Sequence, residues 1–144
     1  MARYNDAEES YRTILAAHPD NTDAMFGLAV TLKEMAQYNE SEKILQKLLT
    51  IEEAADPNSI KTATVLNNLA SVYQATNRLD EAVPLMLRAL EIFIHFTRQT
   101  RHHHPLLQTV KNSYIALLIE MGTSPDQALA QTKALAPDLF DKKP

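Results

Sequence analysis

The chain has 144 residues, 14 Lys plus Arg against 18 Asp plus Glu, and a formal charge of −4 at pH 7, without the basic excess of a nucleic-acid binder. Apolar residues make up 45% and charged residues 22%, enough for a buried core and against wholesale disorder, with one domain as the default. Only 2 Gly and no Cys or Trp disfavour glycine-rich phosphate loops, zinc-thiolate sites, redox pairs and a disulfide framework.

The first predicted element carries Ala7, Tyr11, Ile14 and Leu15 on one helical face, and a shift of 34 places sets them onto Ser41, Leu45, Leu48 and Leu49. Between these two helices, Met25, Leu28, Ala29 and Leu32 fall at i, i+3, i+4 and i+7, one apolar stripe of a helix. A shift of 41 places carries that stripe onto Leu66, Leu69, Ala70 and Tyr73, and a further 45 onto Lys111, Tyr114, Ile115 and Leu118, with one apolar position given to Lys. Behind each stripe comes a short polar turn (Gln37 to Glu40, Thr76 to Leu79, Gly122 to Pro125) and then a second helix. The second of these runs through Ala82, Leu85, Met86, Ala89, Leu90 and Phe93. Pro84 is expected near its first turn, as a helix-start residue whose missing N–H has no helical partner to lose. The last begins with Ser124 as N-cap, Pro125 at the first helical position and Gln127 as capping-box partner. No segment alternates as a half-buried strand does, so an all-α fold of about seven helices is expected. The longest apolar runs, such as Ile115 to Ile119, fall far below the roughly 18 residues of a membrane span. With no signal-peptide pattern at the start, a cytoplasmic location and no membrane partner are expected.

A helix pair recurring near 34 residues, with small residues at fixed sites, resembles the tetratricopeptide repeat. The residues that carry the resemblance are Leu66-Asn67-Asn68-Leu69-Ala70-Ser71-Val72-Tyr73, then Asn77-Arg78-Leu79-Asp80-Glu81-Ala82, then Arg88-Ala89-Leu90-Glu91-Ile92. They look like the longer repeats of kinesin light chains and related bacterial proteins. The resemblance implies a right-handed superhelical solenoid of antiparallel helix pairs in a single domain, residues 1–144. Its parts would be the second helix of a partial repeat (2–18), repeats at 21–55 and 58–97, and a less regular repeat at 104–136. Ser41 and Gln127 stand where the family usually has Ala, with Ala128 available one residue on.

What the resemblance implies about function is a scaffold that binds a peptide or protein segment in its concave groove, lined by the first helix of each unit. In this register the groove residues are Phe26 and Val30, then Asn67, Asn68, Ser71 and Gln74, then Asn112, Ser113 and Ala116. An Asn amide offers both donors and an acceptor, so it can pair with the main chain of an extended peptide of any sequence. Phe26 and Val30 stand where chaperone-tail-binding members begin their carboxylate clamp, and no Lys/Arg cluster adjoins them, which argues against a chaperone C-terminal peptide. Lys33 and Lys61 read as solvated.

The alternatives are a module that associates with its own copies through open solenoid ends, or a fragment of a longer array. The first has a motive in a chain that opens on a second helix and in Ala134 to Phe140, after which no polar capping helix follows. No catalytic residue, cofactor or metal site is expected. His102-His103-His104 are consecutive and cannot easily converge on one ion, so they read as a connector before Pro105. Glu8-Glu9, Glu52-Glu53 and Asp80-Glu81 are adjacent carboxylates rather than opposed acid and base, and Met25 and Met86 fill apolar stripes. No nucleic-acid partner is expected.

Overall fold

The structure is a computed structural model that describes residues 2–141. Among these residues there are eight helices and no strand. They are α1 (Ala2–Ala17), α2 (Thr22–Glu34), α3 (Tyr38–Ala55), α4 (Ile60–Ala75), α5 (Leu79–Thr100), α6 (Leu106–Glu120), α7 (Pro125–Leu135) and the four-residue α8 (Pro137–Phe140). The helices gather into two compact units that divide after residue 57, α1 to α3 in the first and α4 to α8 in the second. In each, helices consecutive in the chain pack against one another.

In the first unit, Asn21 opens α2 by accepting from the Ala24 N–H at 2.9 Å, which satisfies one of the donors a helix start leaves unpaired. The stripe Met25, Leu28, Ala29 and Leu32 is buried as its spacing dictates. Ser41 on α3 is fully buried, and its hydroxyl donates to the Ala29 carbonyl at 2.7 Å. A hydroxyl is tolerated at this close helix crossing because the partner backbone supplies an acceptor. Replacing Ser41 by Ala removes one net hydrogen bond and is expected to cost about 1 kcal/mol. Urea unfolding reads that loss, and an unchanged midpoint would mean that the bond contributes nothing. On α1, Arg12 bridges Glu8 and Glu40, each at 2.8 Å, and all three side chains are accessible to solvent.

In the second unit, Ser59 caps α4 by accepting from the Thr62 N–H at 3.0 Å. The stripe Leu66, Leu69, Ala70 and Tyr73 is buried, as are Ala82, Met86, Ala89, Leu90 and Phe93 on α5. Pro84 does not lie in the first turn. It is the sixth residue of α5 and is exposed, because the helix starts at Leu79, directly after the turn, rather than beside the proline. The position costs the Asp80 carbonyl its helical donor, and an accessible carbonyl can turn to water instead. Ser124 caps α7 as its sequence suggests, accepting from the Gln127 N–H at 3.3 Å. Ala128 is the residue buried at the crossing, while Gln127 stays exposed.

The irregular Lys111 finds a specific place. Its ammonium lies 4.9 Å from the centre of the Phe140 ring on α8, so the aromatic face receives a cation where the other repeats bury an apolar side chain. Arg98, near the end of α5, makes a two-pronged contact to Asp138 on α8, at 2.7 and 3.1 Å. These two contacts fasten the last helical turn onto α5 and α6.

Candidate docking surface

Side chains adjacent in a helix point about 100° apart, so the accessible residues of α4 are those that avoid its buried stripe. Asn67, Ser71 and Gln74, at i, i+4 and i+7, form one half-buried polar row. The Ser71 hydroxyl donates to the Asn67 carbonyl at 2.9 Å. The Asn67 side-chain amide has no hydrogen-bond partner among the described residues. Asn68 points elsewhere: it is only 9% exposed, and its Nδ2 donates to the Thr64 carbonyl one turn back at 2.9 Å.

On α6, Asn112 and Ala116 are exposed and Ser113 is half-buried. The Asn112 Oδ1 accepts from Gln108 Nε2 at 2.9 Å. Gln74 Nε2 donates to Glu120 Oε1, and this bond joins the polar rows of α4 and α6 where both helices end. Sequence reasoning passed over Glu120, although it stands four residues after Ala116 and seven after Ser113 and so shares their side of the helix. In the first unit, Phe26 and Val30 are half-buried on α2, four residues apart beside the buried stripe.

The row residues Asn67, Ser71, Gln74, Asn112, Ser113 and Ala116 are uncharged, so the surface offers hydrogen bonds and shape rather than a fixed charge, with Glu120 contributing one carboxylate at its edge. Beneath the α6 row, the buried Tyr114 phenol is held above its ordinary pKa, by burial first and by the negative charge of Glu91 second. It is a packing group rather than an acid or base for neutral pH.

The histidine connector is occupied by structural work. The His104 ring packs 4.9 Å from the Phe93 ring and 5.6 Å from the Phe96 ring. Its Nδ1 accepts from the Leu106 N–H at 3.1 Å, capping the start of α6. The His102 Nδ1 donates to the Thr100 carbonyl at 2.7 Å. Among the described residues no three His, Asp or Glu side chains are grouped to hold a metal ion. No helix among them is long and apolar enough to cross a membrane.

Comparison with known proteins agrees with this architecture. The family model described as tetratricopeptide repeat matches residues 21–94, from α2 into α5 and a little over half of the chain. Over 59 residues the chain is 34% identical to cellulose synthase operon protein C of Pseudomonas fluorescens (strain SBW25), a match covering 41% of this chain and 5% of that much longer protein. Among solved structures, the kinesin-light-chain-type protein of Podosopora anserina with nearly identical TPR-like repeats is 19% identical. It superposes with a TM-score of 0.77 over 96% of this chain and 69% of that chain. BtubC (BKLC) from P. vanneervenii gives 21% identity and a TM-score of 0.74, over 95% of this chain and 57% of its own. MamA gives 18% and 0.65, over 94% and 70%. At these identities the structures speak for the fold, and the family match speaks for descent. With its buried stripes recurring from helix pair to helix pair and the family model spanning two of those pairs, the chain belongs to the tetratricopeptide repeat family.

Proposed function

We propose that this chain is a docking module that holds an extended segment of another protein along the accessible polar rows of α4 and α6. Tetratricopeptide proteins are protein–protein interaction scaffolds, and that coarse assignment comes with the family; the groove and its contacts are our reading. One observation carries it. The row Asn67, Ser71 and Gln74 stays accessible directly beside a sealed apolar stripe, and no side chain or backbone group among the described residues engages the Asn67 amide. An amide left open on a rigid helix can pair with a peptide main chain at little cost in ordering. Asn112, Ser113 and Ala116 extend the surface along α6. Asn68 supports the surface by bracing α4 through its bond to Thr64.

The test is a screen of the full chain against an immobilised peptide library, followed by titration of a selected peptide. Replacing Asn67 and Asn112 together by Ala should weaken that peptide by about 1 to 3 kcal/mol and leave the urea midpoint in place. An unchanged affinity would move the binding site away from this row.

A second reading, association with copies of the same chain, rests on α1. This helix buries none of its described residues and exposes Tyr4 and Ile14. Light scattering decides it, since a constant monomer mass over a wide concentration range ends the idea.

A further inference from the structure

Glu120 is a carboxylate in an unfavourable place for the fold. It is the last residue of α6, where the helix carbonyls already concentrate partial negative charge and a cation, not an anion, would be stabilising. The end of α4 at Ala75 adds a second such terminus close by, because Gln74 reaches Glu120 directly. That bond comes from a neutral amide, so it orients the carboxylate without offsetting its charge. No cationic side chain pairs with Glu120 among the described residues. The nearest positive group in the turn after α4, Arg78, is committed elsewhere: its guanidinium lies 4.1 Å over the Tyr73 ring, and its Nε is 3.5 Å from a Glu81 carboxylate oxygen. An exposed, oriented, uncompensated carboxylate at the end of an otherwise uncharged polar row is complementary to one kind of partner group.

We propose that Glu120, presented by Gln74, receives a Lys or Arg side chain of the docked segment. The ligand class is therefore an extended peptide with a basic residue opposite the ends of α4 and α6. This rests on the docking reading above and deepens it. The cation would meet the carboxylate and the negative ends of two helices together, while the neutral row sets the path of the main chain without demanding charge elsewhere.

The experiment is a positional-scanning peptide library, with Lys, Arg, Asp, Glu or Ala fixed at each position in turn, probed with the full chain and with the Glu120→Gln, Glu120→Lys and Asn67→Ala variants. Wild type should enrich Lys or Arg at one position. Glu120→Gln should lose that preference and bind the selected basic peptide about fivefold more weakly at low salt, a difference that shrinks towards about 1 M NaCl. Glu120→Lys should turn the preference at the same position to Asp or Glu. Asn67→Ala should lower all binding and keep the basic preference. Circular dichroism confirms folding of each variant, and Glu120→Gln, which changes no shape at an exposed site, carries the test alone if the Lys variant does not fold. Peptides selected without a basic position, or with a preference that survives both Glu120 substitutions, overturn this inference and leave docking standing. Selection of no peptide at all overturns docking and this inference with it.

Discussion

Replacing Phe93 by Ala is expected to destabilise the protein by about 3 to 5 kcal/mol, a large share of the roughly 5 to 15 kcal/mol that a domain of this kind has in total. The ring is fully buried on α5, with Met86, Ala89 and Leu90 buried one to two turns before it and Thr97 one turn after. Truncation removes its transfer energy and leaves a cavity that rigid helices on either side close only in part. A second consequence is local. The His104 ring leans on Phe93 and caps α6 through its Nδ1, so losing Phe93 loosens the support of that cap. The variant should therefore show a lower urea midpoint together with faster hydrogen exchange at the first amides of α6. Phe93→Leu, which keeps most of the volume, should cost under about 1.5 kcal/mol. If Phe93→Ala lost less than about 1 kcal/mol, the ring would not be the close-packed centre of the second unit.

The helices were readable because a buried stripe leaves a period in the sequence: Met25, Leu28, Ala29 and Leu32, and their counterparts one repeat on, are all sealed. Features without a period were harder to read. The turns close through positive φ at Ala36, Asn77 and Arg101, each near 59°, without the glycine that would have marked them. The Phe140 ring beneath Lys111 joins residues far apart in sequence, and no local pattern encodes such a pairing. A proline favours helix starts in general, but here the start of α5 is set by the turn that closes on the Tyr73 carbonyl through the Arg78 N–H at 2.8 Å, which leaves Pro84 inside the helix.

The candidate surface was legible to the same degree. Register alone puts Asn67, Ser71 and Gln74 on one side of α4. It also separates Asn67 from Asn68, since neighbours on a helix face directions about 100° apart, which leaves Asn67 half-buried and Asn68 almost wholly covered. Glu120 was hidden for another reason. A glutamate at a helix end looks like ordinary solvated surface until the amide that reaches it from another helix is known.

Gly27 gives a prediction whose sign depends on a neighbour. A β-carbon at this position would lie 2.3 Å from Tyr11 Cζ, 2.4 Å from Cε1 and 2.7 Å from the hydroxyl oxygen, so the ring of α1 occupies the space that any other residue on α2 would need. By intrinsic preference Gly27→Ala favours the helix by about 1 kcal/mol. Against that, displacing the Tyr11 ring from its seat brings an overpacking cost of about 1 to 3 kcal/mol. The expected net result is a loss of stability, with α1 the element released first, readable as faster hydrogen exchange along α1. In a Tyr11→Ala background the obstacle is gone, and Gly27→Ala should then be neutral or stabilising by up to about 1 kcal/mol. The reversal between the two backgrounds is the result that matters. A loss of equal size in both would place the cost in the backbone of α2 and remove Tyr11 from the account.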